Sequence, residues 1–177
     1  MTRHRISLEE FHRMVEAGVF PEDLRLELVE GELLEMSPIG PKHAFVVRRL
    51  TTLLAPLALE KKALLSVQNP LVVGESQLYP DVVLLRPFSD GPDRHPQGQD
   101  ALLVVEVADT SLRHDLGVKV PLYAKGGVPE LWVVDLEGRR VLVHREPQGE
   151  AYREVPTLHP GDTLVHMGVE IPVEEIL

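Results

Sequence analysis

The chain has 177 residues, of which 44% are hydrophobic and 26% charged, with a formal net charge of −10 and no cysteine; a single domain over 1–177 with one sizeable core is the simplest expectation. Lack of cysteine excludes disulfides, thiolate metal sites and thiol nucleophiles, and the acidic balance argues against coating nucleic acid by bulk charge while leaving a local site open. No apolar run nears the roughly 20 residues that span a bilayer, and the N-terminus lacks a signal-peptide core, so the expected location is the cytoplasm with no membrane partner.

In chain order, "SLEEFHRMVEAG" reads as a short helix, because Ser7 and Glu10 form a capping box and Gly18 is a natural stop. Leu8, Phe11 and Val15 share one of its faces. "LRLELVEGELLEMSP" alternates apolar and acidic residues on both sides of Glu30-Gly31, the pattern of a tight β-hairpin. From Pro41 to about Lys62 the spacing of Phe45, Val46, Arg49, Leu50, Leu53, Leu54 and Leu57 predicts the longest helix, bent or divided at Pro56. Basic excess is confined to short stretches around this helix, such as "KHAFVVRR". Strands are expected in "LLSVQNPLVVGE" and "LYPDVVLLRP", and "PFSDGPDRHPQGQ" reads as a surface loop. "ALLVVEVADTS" is a buried strand, "SLRHDLGVKVPLYAKGG" a helix ended by Gly126-Gly127, and "PELWVVDLEGRRVLVHRE" a hairpin; short closing elements follow. This order describes a mixed α/β (α+β) domain around a central sheet.

Phosphate loops, G-x-G-x-x-G, H-E-x-x-H and nucleophile elbows are absent. The histidines are dispersed, and a lone one on an amphipathic helix, such as His43, reads as a surface or interface residue rather than a ligand. Acids at strand positions remain. Glu106 interrupts the apolar run "LLVVEVA", where an ionised carboxylate needs a partner, a cation or a proton. Asp81 follows Pro80 at the mouth of the preceding strand; alone it could merely cap a turn. Together, two acids from adjacent strands make a hard oxygen site suited to Mg²⁺ or Mn²⁺. Asp115, Lys119 and Tyr123 share one face of the next helix, consistent either with an Asp115–Lys119 ion pair and Tyr123 in part of the core, or with Lys119 leaning toward the carboxylates.

"ELVEGELLEMSP", "YPDVVLLRP", "LLVVEVADTS" and "DLGVKVPLYAKGGVPELWVVD", in this order, closely resemble the Uma-two family, long catalogued as domain of unknown function eight-twenty. The resemblance runs from about Glu27 to Asp135 and onward. It implies a PD-(D/E)xK, restriction-endonuclease-like fold and a Mg²⁺-dependent phosphodiesterase site in which Asp81 and Glu106 hold the metal. The superfamily lysine two residues after the second acid is absent: that place is Ala108. The family pattern puts a lysine on the following helix instead, matched by Lys119, with Tyr123 one turn later; Glu27 matches its hairpin acid, although a solvent-facing role is equally consistent with the hairpin. The resulting expectation is a metal-dependent endonuclease with Asp81, Glu106, Lys119 and Glu27 as catalytic residues, acting on nucleic acid, DNA foremost, as a homodimer. The alternative is a catalytically inactive module of the same fold that binds or regulates.

Overall fold

The computed structural model describes residues 1–177. Its first helix, α1 (Leu8–Glu16), begins on the Ser7 cap: the Ser7 side chain accepts from Glu10 N–H and the Glu10 carboxylate accepts from Ser7 N–H. Phe11 is buried, but Val15, expected on the same inward face, stays 52% exposed. Strands β1 (Leu26–Val29) and β2 (Glu32–Glu35) pair antiparallel through Glu30-Gly31. Both turn residues have positive φ, 48° and 87°, as a two-residue primed turn requires.

Helix α2 (Pro41–Leu59) is the longest and runs undivided through Pro56. The proline forfeits one rung near the helix end, which leaves the remaining turns intact. "LLSVQNPLVV" holds two strands rather than one, β3 (Leu64–Val67) and β4 (Leu71–Val73), which belong to different sheets. Gln68, at φ 53°, and Pro70 make the break. β5 (Ser76–Leu78), not anticipated as a strand, pairs with β4 and with β1. β6 (Val82–Leu85) and β7 (Ala101–Ala108) follow on either side of the expected loop.

The helix after β7 is built in three pieces, here together α3: an α-turn at Leu112–His114, a π-helical stretch at Asp115–Lys119 and an α-helix at Val120–Lys125. In the π stretch Val120 N–H reaches the Asp115 carbonyl. β8 (Glu130–Asp135) and β9 (Arg140–Gln148) form the predicted hairpin. β10 (Ala151–Glu154), β11 (Thr157–Leu158), and the hairpin of β12 (Thr163–His166) with β13 (Val169–Pro172) close the chain.

The large sheet runs β10-β9-β8-β7-β6-β3, with β11 added on β9, and the small one β2-β1-β5-β4. β7 and β8 are parallel, connected by α3; neighbouring pairs β6–β7 and β8–β9 are antiparallel. On one face of the large sheet Leu103, Val105 and Val107 pack with Leu50, Leu54 and Leu57 of α2 and with Leu164 and Ile171 of the C-terminal hairpin. On the other, Val104 and Ala108 pack with Val120, Tyr123 and Ala124 of α3 and with Val29, Leu71 and Leu78 of the small sheet. This is a mixed α/β fold with a central sheet, flanking helices and hairpins toward both ends. No helix is long and apolar enough to cross a membrane.

Candidate active site

Strand alternation decides which way Glu106 points. Its neighbours of like parity, Val104 and Ala108, lie on the α3 side, so Glu106 is directed between the large sheet and the layer of α3 and the small sheet. Val82 pairs with Val105, which brings Asp81, one residue before β6, alongside Glu106. Asp81 Oδ2 accepts the Val107 N–H at 2.7 Å, so the carboxylate takes the place of a backbone acceptor where the ladder ends. Glu27 comes from β1 in the facing sheet, with Oε2 accepting from Tyr79 N–H at 2.9 Å.

Lys119 enters from the opposite side, out of the π stretch. Its Nζ lies 3.0 Å from Glu27 Oε1, 3.5 Å from Glu106 Oε1 and 3.6 Å from Asp115 Oδ1. Tyr123 donates its hydroxyl to Glu106 Oε1 at 2.6 Å, and Ser111 donates to Asp115 Oδ2 at 2.9 Å. Glu106 Oε1 is thus held by two donors, while Oε2 accepts no hydrogen bond from the protein. Glu27, Asp81, Glu106, Asp115 and Lys119 are all buried, yet all five line one cleft of about 410 Å³, together with Arg25, His43, Gln68, Ser111 and His114. The four residues expected as catalytic therefore meet in one place. The solvent-facing alternative for Glu27 does not describe the geometry, and for Lys119 both readings hold at once: it pairs with Asp115 and also reaches the carboxylates.

Two cleft residues were not expected there. His43, anticipated as a surface or interface residue, places Nε2 3.1 Å from Asp81 Oδ1, with its side chain largely buried. Gln68 accompanies it: its backbone N–H bonds the Asp81 carbonyl at 3.1 Å and its amide approaches Oδ1 at 3.4 Å. The available signal for His43 was its place in the first turn of α2; for Gln68 it was the "QNP" break between strands. Neither identifies a contact without the tertiary fold.

Charge in the cleft is unbalanced. Burial drives Glu106 well above the ordinary carboxylate range; Lys119 opposes this, while Asp115, Asp81 and Glu27 reinforce it. Asp115 is likewise raised by burial, against the pull of Lys119 and Ser111. Burial alone would lower Lys119, but Glu106, Glu27 and Asp115 together hold it above its usual range and keep it an ammonium. The Tyr123 hydroxyl is raised by burial and then by the Glu106 carboxylate, so it acts as a donor. The hydrogen bond to Asp81 raises His43 against the effect of its own burial.

These features sit within a match to a family model described as "Putative restriction endonuclease", Uma2, over residues 8–174. The chain belongs to the Uma2 family. Among solved structures it is similar to a crystal structure of "a putative nuclease belonging to DUF820" from Anabaena variabilis, with a TM-score of 0.76 and 15% identity over 97% of each chain. At that identity the likeness speaks for the shared fold. No curated protein matches the chain.

Proposed function

We propose that this Uma2 protein is a metal-dependent nuclease that hydrolyses phosphodiester bonds of nucleic acid, DNA foremost, through Asp81, Glu106, Lys119 and Glu27. The observation that carries this reading is the meeting of two strand-borne carboxylates with one buried ammonium in an open cleft.

The donor set fits a hard divalent cation. Four buried carboxylates border the cleft, three of them sharing Lys119 and the fourth, Asp81, beside His43; burial first, and then the neighbouring carboxylates, raise Glu106. Asp81 and Glu106 are the residues that would hold Mg²⁺ or Mn²⁺. No three acids or histidines are gathered as a metal cage, so water and substrate oxygens would have to complete the ligands of such a cation. When bound, the metal would polarise the scissile phosphate and lower the pKa of the attacking water.

The chain's own groups do the rest. Tyr123 and Lys119 fix Glu106 by Oε1, turning Oε2 to the cleft. Val107 N–H, His43 and Gln68 hold Asp81. Lys119 sets an ammonium beside the reacting phosphate, where it stabilises negative charge developing on oxygen. Glu27, anchored by Tyr79 N–H, positions Lys119 Nζ, and Asp115 keeps that amine charged. Cutting both strands of a duplex would call for two such sites, hence a homodimer of single-domain chains.

The test is hydrolysis of duplex DNA, single-stranded DNA and RNA with Mg²⁺ or Mn²⁺, comparing the wild-type protein with Asp81→Ala and Glu106→Ala. Cleavage confined to the wild type supports the proposal; equal activity in all three sinks it. The inactive-module alternative rests on Ala108 and the acidic net charge, and predicts no metal-dependent cleavage by any of them.

A further inference from the structure

The acids of this chain are spread along it with one conspicuous gap. It carries 28 Asp and Glu residues in 177, yet none occurs between Met36 and Leu59, the segment that leads into and forms α2. Inward, α2 presents Val46, Val47, Leu50, Leu54 and Leu57 to the core. Outward, its first half presents Lys42, Phe45, Arg48 and Arg49, all exposed. At the three- and four-residue spacing of a helix these side chains form one stripe, about 10 Å long from Lys42 to Arg49.

Three features of the stripe bear on what it meets. None of Lys42, Arg48 and Arg49 is engaged in an ion pair, so their charges are free to meet a partner. Phe45 is 41% exposed, and the Arg49 guanidinium lies over its ring, 5.1 Å from the centroid. The stripe also adjoins the cleft: Ile39, Gly40 and His43, at the start of the same helix, line it. On a chain of net charge −10, whose overall field repels polyanions, this local cationic stripe is a place where a polyanion would be attracted.

We infer that the exposed face of α2 formed by Lys42, Phe45, Arg48 and Arg49 is the surface on which the nucleic-acid backbone docks, guiding a phosphodiester into the cleft beside His43. The inference rests on the nuclease reading for the choice of polyanion, and on charge complementarity for the place. It accounts for how an acidic protein engages nucleic acid: through one local patch of about three phosphate contacts, rather than by overall charge. Arg49 over Phe45 holds a guanidinium against an aromatic face, an arrangement that leaves its remaining donors directed outward to phosphate.

The experiment measures binding of a fluorescent DNA duplex of mixed sequence, and of the corresponding single strand, to the full chain in EDTA, across about 50 to 200 mM salt. Lys42→Ala/Arg48→Ala/Arg49→Ala is compared with wild type and with a control triple variant, Arg13→Ala/Lys125→Ala/Arg153→Ala, which changes net charge equally at exposed sites elsewhere. Circular dichroism melts establish that each is folded. The α2 variant is expected to flatten the slope of log K against log salt by roughly 2.7, which near 0.1 M corresponds to a loss of about two to three orders of magnitude in affinity. The control triple variant should keep the wild-type slope. Wild-type binding by the α2 variant, an equal loss in the control triple, or no binding by the wild type overturns the inference. If the wild type cleaves DNA while the α2 variant binds as it does, the docking surface is wrong and the nuclease reading stands. If α2-dependent binding is found but no cleavage, the docking surface stands and the nuclease reading falls.

Discussion

Lys119→Met is the substitution that tests the electrostatic description of the cleft most directly. It keeps much of the side-chain volume and removes the one ammonium shared by Glu27, Glu106 and Asp115. Taking one partner from a buried ion pair costs about 3 to 5 kcal/mol, because the charges left behind are uncompensated. For a chain of this length that is a fall in melting temperature of roughly 6 to 20 °C.

The pH dependence separates this cause from lost packing. Glu106 and Asp115 already lie above the usual carboxylate range, and Lys119 is what limits the rise. Without it both move further up, so across the window from their unfolded values toward neutrality the folded protein binds more protons than the unfolded one. Stability then falls as pH rises, by about 1.4 kcal/mol per pH unit for each extra proton. Lys119 itself, with its folded value raised, contributes fully throughout this window and would lose its contribution only above its ordinary range. The deficit of Lys119→Met should therefore be smallest near pH 5 and largest near pH 8, read by urea denaturation of both proteins at several pH values in EDTA. A deficit that stays constant with pH, or none at all, refutes the reasoning.

Three further outcomes follow from the same contacts. Tyr123→Phe removes the 2.6 Å hydrogen bond to Glu106 and should cost about 1 to 3 kcal/mol in denaturant melts, with slower cleavage because Glu106 loses one of its two anchors. Mg²⁺ or Mn²⁺ at about a hundred times its dissociation constant should stabilise the wild type by about 2.7 kcal/mol in thermal melts, a gain that Asp81→Ala abolishes; equal gains in both proteins would remove Asp81 from the metal site. Ala108→Lys, made in the Lys119→Met background, should not restore cleavage and should destabilise further, since position 108 has no solvent exposure; recovery of activity would show that the strand position can still host the lysine.

What was legible in the sequence is what local rules govern. Ser7 with Glu10, Glu30 with Gly31, and the alternation through β7 each act within a few residues, so the first helix, the first hairpin and the buried strand with its odd acid are read directly. Asp81 beside Glu106 followed from strand adjacency. Harder to read was anything that depends on what packs against what. β3 and β4 are one apolar run divided between two sheets by a left-handed Gln68. The π stretch of α3 has no signature apart from Gly117 and Pro121, which weaken an ordinary α-helix there without naming the alternative. His43 reaches Asp81 only because α2 lies across β6 and β7, a fact of the assembled layers.

The assembled layers bring a lysine to Glu106 from outside its own strand, where position 108 holds alanine. A side chain at 108 shares the face of Glu106 and stands two strand residues away, about 6.6 Å along the chain. In this protein that place is closed: Ala108 is wholly buried in the cluster that includes Val29, Val120 and Tyr123, so an ammonium there would have to displace apolar packing. α3, however, folds back over the end of the strand it follows. It returns Lys119 to Glu106 after 13 residues and Tyr123 after 17. The π stretch spanning Asp115–Lys119 places the amine among Glu27, Glu106 and Asp115, while the α-helical piece that follows, Val120–Lys125, brings the Tyr123 hydroxyl to Glu106. A lysine supplied from the facing layer can meet three carboxylates at once, whereas one on the strand would extend along its own sheet face. Lys119 thus meets Glu27 of β1, Glu106 of β7 and Asp115 of its own helix, three carboxylates drawn from three elements that border the cleft.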